Sequence, residues 1–543
     1  MSGVRSMTVA ELLVAGLKGA GTRAIFGMPG GGSNLDVIDA ARRAGLRFVL
    51  SQTETGGALM AAAQAEITGA PGACLCTLGP GVSSIVNGVA HAFLDRVPLV
   101  VMTDAIESGP ARFEHQRLPH DALLARITKA SMALTAERPD SVQAAIELAS
   151  SHPAGPVHFD CAAPAMSADV FLTAVADGLR QRLKAVAACT APEPPQPSER
   201  ACQLLRDARR PVLIAGLDAR APGGAAALGV LCGRRAFPVF VTYKAKGAIA
   251  DDHPSYAGLF TLGEIERPFI ERADLIITAG LDAVELLPRV SRYRQPFIHC
   301  AASYPEGQFP PGDHLSMPLA HGLEAIDAHL NAALEWNAAD IAQHRDAQRA
   351  AVMMAGEGLS PGEAVTIVAE ATRAARHVTV DAGAHMFPAM TLLPTDRLGR
   401  ILISNGLSTM GFALPAAIGA ALLAPDDPVV ALTGDAGLLM CVGELRTAVR
   451  EQLRVIVVVM ADDELSLIRV KQDRRGLPSQ GVRLGDMDWP GLARAMGCPG
   501  ASASSPDELA RAMVTAMDHP GPSLVEARID PSGYSRMLQA IRG

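Results

Sequence analysis

"LTGDAGLLMCVGELRTAVREQLRVIVVVMADDELSLI", residues 432 to 468, is the stretch on which the reading of this chain turns. An apolar run ends in Gly434-Asp435-Ala436-Gly437, a helical pattern follows from Val442 to Glu451, and a second apolar run from Val455 to Met460 ends in Asp462, Asp463 and Glu464. The periodicity predicts strand, helix, strand, and so two parallel strands with carboxylates at both carboxyl ends. In open parallel sheets ligands sit beyond those ends. Two carboxylates facing each other in a low-dielectric site repel unless a cation lies between them. Magnesium suits, because it takes one or two carboxylates and completes its octahedron with phosphate oxygens and water. Gly434, Ala436 and Gly437 are small enough to let a phosphate reach the backbone at a helix start. From these residues alone a second reading stays open, in which Asp435 caps the helix and Asp462 sits in a solvated turn.

Working outward, the same rhythm fills the chain. Strands are expected at "RAIFGM", "RFVL", "GACLCTL", "PLVVMTD" and "GPVHFD", then at "PVLIAGL", "PVFVTY", "DLIITAG" and "PFIHCA", and finally at "HVTVDAG", "RILISNG", "PVVALTG", "RVIVVVMAD" and "PSLVEARI". These runs predict an α/β protein of three parallel-sheet domains. The proline-dense "CTAPEPPQPSER", residues 189 to 200, reads as a linker, and Ser360-Pro361 as a capped helix start. The expected domains are 1–185, 195–340 and 355–543. A chain of 543 residues with 49% hydrophobic and 19% charged residues can bury cores of this size, and its net charge of −8 without a basic tract argues against nucleic acid. Nine cysteines without a Cys-x-x-Cys pair suggest neither a disulfide framework nor zinc, and a reducing, cytoplasmic setting is expected. Glu11 interrupts the first apolar stretch, which reads as an amphipathic helix, and no apolar run is long enough for a membrane span.

Several segments together resemble the thiamine-diphosphate-dependent decarboxylase and carboligase family, its acetolactate-synthase-like branch in particular, over essentially the whole chain. The quoted stretch is similar to that family's diphosphate motif. The resemblance implies that Asp435 and Asp462 are side-chain ligands of Mg2+ and that the Glu464 carbonyl is a main-chain ligand. Two departures are Asp462, where the family has Asn, and Ala461, where it has a neighbouring Asn. "SNGLSTMGFALPAAIGAAL", residues 404 to 422, resembles the segment holding the aminopyrimidine, with Met410 as the apolar prop under the cofactor and the Ser408 main chain facing the exocyclic amine; Met410 as a core residue is the alternative. "VDAGAHM", residues 380 to 386, is similar to the upstream phosphate-contacting turn and offers Ala384 and His385, although His385 reads equally well as an exposed turn residue. "FVLSQTETGGALMAAAQAEITG", residues 48 to 69, resembles the strand, turn and helix that carry the family glutamate. Glu54 falls on it, the residue that binds N1′ of the pyrimidine and favours the imino tautomer that deprotonates thiazolium C2. The plain alternative is a helix-start acid complementing the dipole. Thr53 stands where the family has His.

"TLGPGVSSIVNGVAHAFLDRVPLVVMTD", residues 77 to 104, continues the resemblance with a Gly79-Pro80-Gly81 turn, and "FGMPGGGSNLDVIDA", residues 26 to 40, is a glycine-rich loop beside the expected substrate entrance. Residues 112 to 129 lie where the family places loop side chains over the reactive carbon, so Glu114, His115, Gln116 and His120 are substrate-side candidates, or else members of a solvated loop.

The resemblance implies a pyrimidine-binding domain, a central Rossmann-like domain and a diphosphate-binding domain, with thiamine diphosphate and Mg2+ between subunits of a homodimer or homotetramer. The implied substrate is a small 2-oxo acid and the implied reaction decarboxylation followed by carboligation. Simple decarboxylation is the close alternative, and a cofactor-binding protein without turnover another, given Thr53, Ala461 and Asp462. A nicotinamide dehydrogenase does not fit, since "LIAGLDARAPGGAA" lacks Gly-x-Gly-x-x-Gly. FAD, which many acetolactate synthases carry, is not expected, because "ITAGLDAVELLPRVSRY", residues 277 to 293, lacks the Gly-x-Arg-Phe-Asp-Asp-like segment associated with it.

Overall fold

A computed structural model describes residues 6–106, 114–171, 196–285, 293–302, 310–354, 356 and 358–543. The long apolar runs become central strands. Val455–Ala461 is buried at every residue, as a strand covered by helices on both faces must be. Three six-stranded parallel sheets result. In the first the spatial order is Arg47–Leu50, Ala24–Met28, Gly72–Cys76, Leu99–Ala105, Pro156–Ala162, Ala130–Ala133. The third runs Ile401–Ile403, His377–Val380, Val429–Gly434, Val455–Ala461, Ser523–Arg528, Gly500–Ala503. Counted within each sheet, both have the order 2-1-3-4-6-5. The central sheet runs Tyr256–Leu259, Val239–Val241, Pro211–Ala215, Leu275–Ala279, Phe297–Cys300, Asp313–Leu315, which is 3-2-1-4-5-6, the doubly wound dinucleotide-fold order.

The first and third sheets are packed together by helices. Glu54–Thr68 lies against Ala413–Ala421 and Pro80–Leu94 in one apolar core. The approach is backbone to backbone, because a Cβ on Gly419 would sit 2.3 Å from the Met60 carbonyl oxygen. Gln64 Nε2 donates to the Gly419 carbonyl at 3.0 Å across the same contact.

Most expected elements are present, including the Ser360 capping box with Pro361 in the first turn. Two expectations are corrected. The helical pattern expected from Val442 to Glu451 begins earlier, since Asp435–Cys441 is already helical and Glu444–Arg450 follows after a short break. The chain leaves the strand directly into a helix because Gly434 and small Ala436 and Gly437 allow the tight exit. Of the linker stretch, residues 189–195 lie outside the described residues, while Ser198 caps a helix, Glu199–Asp207, so Glu199 and Arg200 are helical. Among the described residues no helix is long and apolar enough to cross a membrane.

Candidate functional site

In the third sheet the strand order reverses between His377–Val380 and Val429–Gly434, which makes the gap beyond their carboxyl ends the expected ligand crevice. A cavity of about 220 Å³ opens there. Ala384, His385, Ser408, Met410, Gly434, Asp435, Ala436, Gly437, Asp462 and Glu464 all line it. Residues from four separate segments thus meet at one place, with Leu465, Ile468 and Tyr534 adding an apolar side that sequence reasoning did not assign.

Asp435 is 4% exposed. Its Oδ1 accepts the Ala436 N–H at 2.7 Å, and Oδ2 accepts the N–H groups of Asp462 at 3.2 Å and Asp463 at 2.7 Å. The carboxylate therefore stitches the ends of two strands together and is not a helix cap, because that helix has Gly434 at its cap position and no side-chain cap bond. Asp462 is half-buried and held by Ser466 Oγ at 2.6 Å. Burial, with the Asp435 charge beside it, pushes its carboxyl up to about 7, and burial also raises Asp435. Two neighbouring acids whose ionisation burial disfavours are a pair that a divalent cation would satisfy. No cluster of three or more His, Cys, Asp or Glu side chains suited to a metal exists among the described residues. A cation held by this pair would take its other ligands from main-chain oxygen, phosphate or water, and the residues present fit that. The Glu464 side chain is held by Arg469 and by the same Ser466 hydroxyl. Asp463 holds a left-handed φ of 58°, a strained turn of the kind that gathers at binding sites.

His385 is buried, which removes the exposed-turn reading; burial pushes its imidazole down to about 4, so the ring is neutral. Its Nε2 is buried without a hydrogen-bond partner. An orphaned polar atom on the wall of a cavity is a sign of a missing acceptor or donor. Met410 is half-buried on the cavity wall rather than in the core, and Ser408 is exposed with φ 52°.

Asp381, which sequence reasoning passed over inside "VDAGAHM", supports this wall. Its Oδ2 accepts Gly411 N–H at 3.0 Å and Thr433 Oγ1 at 2.9 Å, and its Oδ1 accepts Phe412 N–H at 3.2 Å and Ala382 N–H at 3.0 Å. Burial pushes it up to about 6. A Cβ on Gly437 would lie 2.4 Å from Asp381 Oδ2, so that glycine is small to admit this carboxylate.

Glu54 is the first residue of its helix, half-buried, and is not among the residues lining this cavity in the single chain. Thr53 caps the helix by accepting the Gly56 N–H at 2.9 Å. Glu444, fully buried in the third domain, accepts the N–H groups of Gln52 at 3.0 Å and Thr53 at 3.1 Å and so fixes the turn before Glu54. Its sequence signal was a lone acid within the apolar "CVGELRTAV". The four substrate-side candidates also lie away from the cavity in one chain. Glu114, His115 and Gln116 are exposed, Glu114 pairing with Arg117 Nε at 2.7 Å. Buried His120 has Nδ1 2.8 Å from Asp160 Oδ1, and its Nε2 accepts the Gly79 N–H at 3.3 Å. Residues 112 and 113 of that loop lie outside the described residues.

Three family models match. The thiamine pyrophosphate enzyme C-terminal TPP-binding domain covers residues 381–527, the N-terminal TPP-binding domain 7–123, and the central domain 198–304. Relatives span nearly the whole chain. The catabolic acetolactate synthase of Raoultella terrigena is 28% identical over 96% of this chain and 95% of its own length. The acetolactate synthase isozyme 2 large subunit of Escherichia coli K12 is 29% identical over 96% of each. A probable 2-ketoarginine decarboxylase of Pseudomonas aeruginosa is 27% identical over 96% of this chain and 94% of its own.

Proposed function

Because this chain belongs to the thiamine-diphosphate-dependent enzymes, we propose that it is a Mg2+-dependent carboligase of acetolactate-synthase type, which decarboxylates a 2-oxo acid and joins the remaining fragment to a second carbonyl. The observation that carries this reading is the meeting of residues 382–385, 408–410, 434–437 and 462–468 around one cavity at the reversal of strand order. When bound, thiamine diphosphate supplies a nucleophilic carbon and an electron sink for the charge left by loss of carbon dioxide.

The chain's own residues divide the remaining work. Asp435 and Asp462 would hold Mg2+ together with the Glu464 carbonyl, their charges offset by the cation. Gly434, Ala436, Gly437, Ala384 and His385 receive the diphosphate, with the unpartnered His385 Nε2 available to it. Met410 and the Ser408 main chain would hold the aminopyrimidine, and Asp381 braces their turn through the Gly411 and Phe412 N–H groups. Glu54 of a second copy exchanges a proton with N1′ of the pyrimidine. A second copy is supported by the position of Glu54 away from the cavity in its own chain and by exposed Leu439, Met440 and Ile468 close by, apolar surface of the kind an oligomer buries.

The matched probable 2-ketoarginine decarboxylase favours simple decarboxylation as the second reading. Purified protein supplied with thiamine diphosphate and Mg2+ is tested on a panel of 2-oxo acids for carbon dioxide and for coupled acyloin or acetohydroxy-acid products. Both products are expected. Carbon dioxide with an aldehyde alone selects the second reading, and no turnover of any 2-oxo acid refutes the proposal.

A further inference from the structure

At the junction of the three domains lies a buried ionic cluster that none of the roles above uses. Lys244 of the central domain is 4% exposed. Its Nζ donates to Glu66 Oε1 at 2.9 Å and Oε2 at 2.7 Å, lies 3.1 Å from Asp95 Oδ2, and donates to the Ile403 carbonyl at 3.0 Å. Arg220 joins from the central domain with Nη2 3.5 Å from Glu66. The formal charges balance, two cations against two carboxylates. Such a cluster gains little net stability over apolar packing of the same volume, so a role other than stability is to be sought for it.

Asp95 points to that role. Fully buried, it accepts the Asn405 N–H at 3.1 Å on Oδ2 and the Gly406 N–H at 2.6 Å on Oδ1. Burial alone would push its carboxyl up, but Lys244, His91 and those two N–H groups outweigh it and hold it below the usual range. Beside it, His91 Nδ1 lies 3.0 Å from Ser404 Oγ, which accepts the Thr409 N–H at 3.2 Å, and Thr409 Oγ1 donates to Asn87 Oδ1 at 2.8 Å. Gly406 admits no side chain here, since a Cβ would lie 2.7 Å from both Leu94 and Val284. The turn from Ser404 to Gly411 is thus gripped at both ends, by Asp95 at its start and Asp381 at its finish, with left-handed Ser408 and Met410 between.

Resting on the cofactor roles proposed for Ser408 and Met410, we propose that Lys244 is a positioning residue. It keeps Asp95 an anion, and Asp95 in turn holds the turn that receives the aminopyrimidine. Lys244 is not among the residues that line the cavity. Its effect should therefore fall on the ring end of the cofactor and spare the diphosphate end.

The test compares thiamine diphosphate with inorganic pyrophosphate, each with Mg2+, by calorimetry on the full chain. Two variants are used, Lys244→Met and the charge-balanced Glu66→Gln/Lys244→Met, which guards against misfolding caused by a lone buried carboxylate. Thiamine diphosphate is expected to bind about 10–100-fold more weakly in both, the usual effect of removing an outer partner of a binding group, with pyrophosphate within about twofold of wild type. Unchanged thiamine diphosphate affinity, or an equal loss for both ligands, overturns the role. If wild type binds pyrophosphate but not thiamine diphosphate, the proposed function itself fails and this role with it.

Discussion

Gly419→Ala tests the contact that sets the Glu54 helix against the helix following the Ser408–Met410 turn. Two effects oppose each other. Alanine in a helix interior is favoured over glycine by about 0.8–1 kcal/mol. Against that, the new Cβ would stand 2.3 Å from the Met60 carbonyl oxygen, 2.9 Å from its Cα and 3.0 Å from its carbonyl carbon, all backbone that cannot rotate away. Reaching an ordinary contact of 3.4 Å needs a retreat of about 1 Å between two helices buried on every side. Overpacking of that kind costs about 1–3 kcal/mol, so a net loss of up to about 2 kcal/mol is expected. The Gln64 to Gly419 hydrogen bond lengthens with it. Because Glu54 opens the displaced helix, turnover should fall about tenfold, short of the ~100-fold of a full 1 Å error at the reacting atoms. Urea denaturation followed by fluorescence of buried Trp489 measures the first quantity, and turnover of a 2-oxo acid the second. A variant about 1 kcal/mol more stable and fully active would mean that the propensity gain acts unopposed and that the helices do not meet backbone to backbone.

Asp435→Asn should weaken Mg2+ and thiamine diphosphate binding together, since one carboxylate serves both; unchanged affinities by calorimetry would remove Asp435 from the site. Burial pushes His158 down to about 4. An unfolded histidine titrates near ~6.5, so as pH falls below that the unfolded state takes up the proton first and stability is lost progressively to about pH 4, by ~3 kcal/mol at about 1.4 kcal/mol per unit. His158→Gln should flatten that acid limb in denaturation curves taken at successive pH values, and an unaltered slope would exclude His158 as its source. The purified protein should be colourless, because Glu285 Oε2 takes the Leu217 N–H at 2.7 Å at the first turn of the central sheet, where a dinucleotide phosphate would dock. Stoichiometric flavin absorbance would contradict this.

How much of this was legible in the sequence depended on range. Strands such as Val455–Ala461 announced themselves because burial on both faces demands an unbroken apolar run. Edge strands Arg47–Leu50 and Ile401–Ile403 did as well, but Ala130–Ala133, Asp313–Leu315 and Gly500–Ala503 did not, being short and carrying small or polar residues that no alternation betrays. The cavity residues were readable because a strand's carboxyl end, a glycine turn and an acid fall within a few positions of one another. Asp381, Glu444 and Asp95 were not, for each acts on backbone that is distant in the chain or reads like an ordinary helix acid until the fold brings the acceptor and its N–H groups together. Tyr534 lines the cavity from the last helix, and nothing local to it marks that place.

On the proposed function, Glu54 activates a cofactor bound by the third domain. Hydrogen–deuterium exchange at thiazolium C2 of the bound cofactor, in wild type and in Glu54→Gln, tests it most directly, because the amide keeps the size of the side chain and removes only its proton exchange. A folded, oligomeric variant is expected that still binds thiamine diphosphate, weakened by no more than the ~1.5–3 kcal/mol of one charge-assisted hydrogen bond, with exchange and turnover both collapsed. Exchange and turnover near wild type would leave Glu54 as an acid at a helix start and assign the activation to another group.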